Sequence, residues 1–311
     1  MKDQFAQDVI EGLTATPKKL PSKYFYDERG DKLFQQIMNL DEYYLTKSEY
    51  EILDTYKGQL LSLFSEQTDK FNVVEFGAGD GYKTKVLLKH FLQEQANFKY
   101  VPIDISGNVL RILESSLKEE MPSLEVNYIE DHYFKALKKL EKNGTRNVVL
   151  FLGSNIGNFT GDQAYKFLNG LYDGLHEGDL LLIGFDLKKD PSVILKAYDD
   201  SDGITRAFNF NLLDRINKEL GADFDLTKFK HFPSYNPQSG TTESFLISKV
   251  RQTVSVGEHE IEFHPWESIH MEISQKYSMP DVSSMALRSG FTIAQNFYDE
   301  KSYFVNSVWR K

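Results

Sequence analysis

Residues 73–84 read Val73-Val74-Glu75-Phe76-Gly77-Ala78-Gly79-Asp80-Gly81-Tyr82-Lys83-Thr84. An apolar run of strand length enters a glycine-rich turn, and a stretch with helical periodicity follows. Glycine lacks the Cβ that would hold a ligand off the backbone, so Gly77 and Gly79 permit close approach of a bound molecule. A phosphate-wrapping loop would end in Gly-Lys-Ser/Thr, whereas here Tyr82 precedes Lys83 and Thr84. A dinucleotide turn places a third glycine where Tyr82 stands.

Outward from this turn, short β-rich runs alternate with amphipathic helices. The strands are read at Asn72–Phe76, Lys99–Ile105, Leu124–Ile129, Asn147–Leu152 and Asp179–Phe185, and the helices at Lys83–Gln95, Asn108–Glu120, Phe134–Lys142 and Gly161–Leu175. Such alternation predicts a parallel sheet covered on both faces, with ligands bound beyond the carboxyl ends of its strands. Asp104 closes the second strand, where a carboxylate can accept both ribose hydroxyls; its alternative role, capping the next helix, falls to Ser106. Glu130-Asp131-His132-Tyr133 follow the third strand, and Gly153-Ser154-Asn155-Ile156-Gly157-Asn158 follow the fourth. The C-terminal runs Thr292–Tyr298 and Ser302–Trp309, after a helix at Met279–Ser289, are joined closely enough to pair as an antiparallel hairpin.

Between Pro191 and about Ile273 the alternation breaks down into helices (Val193–Asp199, Leu212–Leu220) and strands (Thr241–Lys249, Gln252–Val256, His259–His264). This reads as an α+β insertion, with which the helical N-terminus is expected to pack as a lid. The expected division is residues 1–58 and 191–275 for the substrate-binding domain, and 59–190 with 276–311 for the cofactor domain.

Composition narrows the function. The 311 residues carry 46 acidic against 36 basic groups, a balance that argues against a nucleic-acid partner. There is no cysteine, so disulfides, thiolate nucleophiles and cysteine zinc sites are excluded. The apolar run Leu180–Phe185 is too short for a bilayer, and Met1-Lys2-Asp3-Gln4 is not followed by a signal core; a cytoplasmic protein without a membrane partner is expected. His259, His264, His270 and Glu272 do not reproduce a zinc signature, so no metal is expected.

The acid at Glu75, the strand-end Asp104 and the C-terminal hairpin together resemble class I methyltransferases, which implies a Rossmann-like doubly wound α/β sheet binding S-adenosylmethionine. Further blocks resemble the histidine-specific Nα-methyltransferases, which trimethylate histidine to hercynine in ergothioneine biosynthesis. They are Leu20–Asp27, Leu40–Thr46, Phe151–Asn158, Ala197–Asp200, Ala207–Asn209 and Met271–Tyr277. The resemblance implies that Gly77, Gly79, Lys83, Asp104, Gly153 and the Asp131-His132-Tyr133 segment contact the cofactor. It implies that Tyr43, Asn158 and Tyr198 hold the amino and carboxylate end of the amino acid, as its catalytic set. Glu272 and Ser274, with Ile273 between them, would grip the imidazole. Period-two spacing directs Glu272 and Ser274 to one side of a strand, with Met271 and Ile273 opposite. Ser244 stands where the family has a pocket methionine. The expected substrate is a small amino acid or amine and the expected state a monomer. The rival readings are another aromatic amino acid or biogenic amine, and a non-catalytic S-adenosylmethionine sensor.

Overall fold

The computed structural model describes residues 2–138 and 144–311. The end of the helix expected at Phe134–Lys142 lies outside the described residues. The chain opens with α1 (Lys2–Thr14), a two-residue β1 (Lys18–Lys19) and α2 (Glu28–Asn39). It continues through α3 (Tyr44–Phe64), β2 (Phe71–Phe76), α4 (Thr84–Gln93), β3 (Phe98–Asp104), α5 (Gly107–Glu120), β4 (Ile129–Glu130) and α6 (Tyr133–Leu137). Then come β5 (Arg146–Phe151), α7 (Gly161–Gly174), β6 (Leu180–Asp186), α8 (Pro191–Lys196) and α9 (Ile204–Leu220). Strands β7 (Phe229–Asn236), β8 (Thr241–Ser248), β9 (Gln252–Val256), β10 (His259–Phe263) and β11 (Ser268–Gln275) precede α10 (Met279–Arg288), β12 (Thr292–Tyr298) and β13 (Phe304–Arg310). Two compact units result, one from residues 1–44 and 188–276, the other from 45–187 and 277–311.

The second unit is built on a seven-stranded sheet in the order β12-β13-β6-β5-β2-β3-β4. Strands β2 to β6 run parallel, and β13 pairs antiparallel with both β6 and β12. Successive residues feed opposite faces: Val74, Phe76, Val149, Phe151, Leu181 and Ile183 join one apolar core, while Val73, Val148, Leu150, Leu180 and Leu182 join the other. This two-sided burial explains why these strands read as continuous apolar runs rather than alternating ones. Strands are added on one side of β2 as β3 and β4 and on the other as β5 and β6, so the turn after β2 sits at the switch point where such sheets take ligands. Ser106 caps α5 by accepting the Val109 N–H at 3.4 Å, which leaves Asp104 available for another role. The strand expected at Leu124–Ile129 is a loose sheet edge: it meets Tyr100 through two 2.9 Å backbone bonds and pairs as β4 only at Ile129–Glu130.

The first unit holds a four-stranded sheet, β1-β11-β8-β7, and a separate β9–β10 hairpin. Strand β7 was not anticipated, because Pro233 interrupts its pattern; it is an edge strand, where a missing N–H is tolerated. Helix α9 packs against β7 and β8, burying Phe208, Leu212 and Leu213 with Leu246 and Ile269. Where Met271 was expected to face away from Glu272, a bulge between His270 and Glu272 inserts an extra residue and buries Met271 in this same core.

Candidate functional site

In the second unit the turn after β2 gathers the residues expected at the cofactor. Gly77 and Gly79 adopt φ of +67° and +54°, the left-handed region that side chains rarely enter. A Cβ on Gly77 would meet the Tyr133 hydroxyl at 3.1 Å, whereas one on Gly79 would meet nothing within 4 Å. The bare backbone at Gly79 therefore borders open space, the condition a closely approaching ligand requires. The half-buried Asp104 carboxylate accepts the backbone N–H of Ser106 at 2.9 Å and is braced by the Gly79 N–H. Burial raises its pKa, and these backbone donors oppose the rise.

Tyr133 stacks on Phe76 with ring centres 4.6 Å apart and planes 4° from parallel. Burial, reinforced by the nearby Asp104, pushes its hydroxyl up to about 12, so it remains a donor. Asp131 accepts the His132 N–H at 2.8 Å, and the His132 side chain is exposed. Gly153, at φ +76°, donates its N–H to Glu49 Oε2 at 2.7 Å, and the Lys83 ammonium pairs with the same carboxylate. Asn158 closes the short helical turn Asn155–Asn158 with an exposed side chain. Glu75 is buried between Thr84, whose hydroxyl donates at 2.5 Å, and the Tyr100 hydroxyl. These two bonds brace β2 against α4 and β3, and burial pushes the Glu75 carboxyl up to about 7.

Of the residues expected at the amino acid, the first unit holds Tyr43, Tyr198, Glu272, Ile273 and Ser274, while Asn158 belongs to the second. Register pairs Glu272 with Ser244 and Ser274 with Thr242, so all four lie on the sheet face that α9 covers. Ile273 pairs with Glu243 on the opposite face. The inner face is apolar at its Leu246–Ile269 end and polar toward Ser274. The Ser244 and Thr242 hydroxyls there, and both nitrogens of His231 opposite Leu246, are buried without a hydrogen-bond partner. Burial holds His231 down to about 4, so its ring is neutral at pH 7.

Glu272 keeps partial solvent access but is surrounded by protein, and burial pushes its carboxyl up to about 7 against the attraction of Lys276. Lys276 is fully buried; its Nζ donates to the Tyr198 hydroxyl at 2.7 Å and to Ser274 Oγ at 2.8 Å. Tyr26 leaves 48% of its surface accessible, yet burial raises its hydroxyl pKa well above the ordinary value, with Glu272 and Tyr198 adding to the shift. Phe34 and Phe208 meet Tyr26 edge-on at 5.5 and 5.6 Å, and Tyr43 meets Phe34 edge-on at 6.4 Å. Tyr26, Phe34, Phe208 and Tyr43 thus form one aromatic cluster, with Glu272 and Tyr198 near the Tyr26 hydroxyl.

The sheet order with its C-terminal antiparallel strand is the class I methyltransferase fold. The family model for histidine-specific, S-adenosylmethionine-dependent methyltransferases matches residues 5–311. This chain belongs to that family. It is 37% identical to the histidine N-alpha-methyltransferase of Mycolicibacterium smegmatis over 91% of this chain and 88% of the relative. It is 35% identical to the Mycobacterium tuberculosis protein of the same name, over 98% and 94%. The N-methyltransferase imqF of Aspergillus flavus is 27% identical over 97% and 83%. The family is enzymatic and uses S-adenosylmethionine, and the bare Gly79 backbone, the Asp104 carboxylate and the Tyr133 hydroxyl fit that cofactor.

Three family-site neighbours escaped the sequence reading. Glu49 lies mid-helix in α3 with nothing in its local pattern to mark it, and only the fold brings it to Lys83 and Gly153. Tyr26 and Lys276 sit inside blocks that carry the resemblance, where a buried lysine one strand step beyond Ser274 was the available signal. Among the described residues, no three His, Cys, Asp or Glu side chains are grouped to hold a metal, and no helix is long and apolar enough to cross a membrane.

Proposed function

We propose that this methyltransferase acts on the α-amino group of L-histidine and carries it to the trimethylated product. The observation that carries the reading is the shared sheet face of Glu272 and Ser274, two residues apart on β11, which offers an acceptor and a hydroxyl, the groups that the two nitrogens of an imidazole require. Identity to histidine N-alpha-methyltransferases over most of both chains supports it.

Asp104 would hold the cofactor's ribose hydroxyls, Gly77 and Gly79 its amino-acid portion, and Asp131, His132 and Tyr133 its adenine. Bound S-adenosylmethionine supplies a methyl group already activated on a sulfonium, so the protein's task is mainly to orient a neutral amine. Orientation of this kind is worth up to about 7–11 kcal/mol. Tyr43 would accept an amine hydrogen and help to aim the lone pair, a role that the family resemblance also gives to Asn158. Tyr198 donates to the substrate carboxylate, because one acceptor position on its oxygen is occupied by Lys276. As methyl groups accumulate, tyrosine ring faces stabilise the growing cationic ammonium.

A second reading, another aromatic amino acid or amine, draws on Ser244, whose small side chain and unpartnered hydroxyl lie directly across from Glu272. Mass spectrometry of the products formed from histidine, phenylalanine, tryptophan and their amines separates the two. Trimethylated histidine as the dominant product upholds the first reading, and preferential methylation of another amine overturns it.

A further inference from the structure

We propose that Lys276 is a positioning residue that fixes which way the recognition hydroxyls point, and that this makes the site a reader of the neutral imidazole. The proposal rests on the histidine reading above. Residues 272, 274 and 276 follow the two-residue period along one chain segment, which places the carboxylate, the hydroxyl and the ammonium in sequence on one side. The Lys276 side chain is wholly buried, and its Nζ lies 2.8 Å from Ser274 Oγ and 2.7 Å from the Tyr198 oxygen. An ammonium has three protons to give and no lone pair to offer. Both hydroxyl oxygens must therefore accept from it, and each directs its own proton away from Lys276. Ser274 is thereby made a donor, suited to a ring nitrogen that carries a lone pair, while Glu272 accepts from the nitrogen that carries hydrogen. A neutral imidazole presents one nitrogen of each kind; a phenyl ring presents neither.

The lysine is held rigidly enough to do this. Its backbone N–H donates to the Gly240 carbonyl at 2.7 Å, and Gly240 occupies φ +80° in the turn between β7 and β8. A Cβ on Gly240 would collide with the Lys276 carbonyl, so the two backbone segments meet closely here. The ammonium also lies 4.7 Å from the centre of the Tyr198 ring, which restrains that side chain as well as its hydroxyl. Burying a lysine is costly, and an apolar residue of similar length would serve stability as well or better. The arrangement is accounted for by what the charge does to its neighbours.

The test is a double-variant cycle on substrate discrimination, with kcat/KM measured for histidine and phenylalanine and S-adenosylmethionine binding followed by calorimetry. Lys276→Met is expected to lower kcat/KM for histidine about 10- to 100-fold, chiefly through KM, since two hydroxyls lose their imposed orientation. Phenylalanine, which shares only the Tyr198 contact to its carboxylate, should lose clearly less than histidine, under about tenfold, and cofactor affinity should change less than about threefold. Ser274→Ala should give a similar loss for histidine, and the double variant should lose little beyond the larger single effect. Lys276→Arg, which also only donates, should recover part of the discrimination. Should Lys276→Met fail to fold, Lys276→Gln replaces it; its amide both donates and accepts, so an intermediate loss is expected. Multiplicative losses in the cycle, or equal losses for histidine and phenylalanine, overturn the role of Lys276. A wild-type enzyme without preference for histidine refutes the substrate reading, and with it the ring assignment.

Discussion

Replacing Glu272 with glutamine preserves shape and one acceptor oxygen but removes the charge. With the wild-type carboxyl titrating at about 7, roughly a tenth of the molecules carry the carboxylate at pH 6 and roughly nine-tenths at pH 8. If the ionised form binds the ring N–H, the productive fraction of wild type rises about tenfold across that interval. Glu272→Gln has no such titration. Deprotonation of the substrate's own amine and imidazole affects both enzymes alike, so it cancels in their ratio. The wild-type to variant ratio of kcat/KM for histidine should accordingly rise about tenfold from pH 6 to pH 8. At pH 8 the variant should be lower by about 1–2 kcal/mol of transition-state binding, the difference between a charge-assisted and a neutral hydrogen bond. Initial rates with limiting histidine and saturating S-adenosylmethionine, taken at half-unit pH steps, provide the measurement. A ratio that stays flat or falls with pH would refute the assignment of an ionised Glu272 to the imidazole.

The same carboxyl carries a stability signature of opposite sense. Its folded pKa is raised to about 7 from an ordinary value near about 4.3, so the unfolded chain releases the proton first and wild-type stability falls as pH rises through that window. Glu272→Gln should therefore melt higher than wild type at pH 8, by up to about 3 kcal/mol, and the excess should shrink toward zero near pH 4.5; thermal melts at both values decide it. Asp104→Ala should weaken S-adenosylmethionine binding by about 1.5–3 kcal/mol, and calorimetry giving an unchanged affinity would remove Asp104 from the ribose. Glu49→Leu leaves the Lys83 ammonium and the Gly153 N–H without their buried acceptor, so it should cost about 3–5 kcal/mol of stability; a melting temperature within a degree of wild type would contradict that brace.

The sheet of the second unit was legible because local signals agreed with the global fold. Apolar runs of strand length, a glycine turn at φ that only glycine enters cheaply, and helices capped by Ser106 and Ser278 all specify the same βα alternation. The clustering of the residues proposed for the cofactor was legible for a related reason: Gly77, Gly79 and Asp104 lie on consecutive strand ends, and a parallel sheet brings consecutive strand ends together. The first unit was harder. Pro233 concealed β7, and the bulge at Met271 shifted the face on which that side chain falls, since one added residue reverses the alternation.

Sequence by itself determined the fold class, the cofactor turn and the shared face of Glu272 and Ser274, because backbone stereochemistry and period-two spacing act over a few residues. The tertiary structure decided everything that depends on distance along the chain: that Glu49 reaches Lys83 and Gly153, and that Lys276 meets Tyr198 across 78 residues. It also decided the electrostatics. The sequence offers Glu272 as an imidazole acceptor but says nothing of its titration; only enclosure by the surrounding protein, which withdraws the water that would solvate its charge, moves that to about 7.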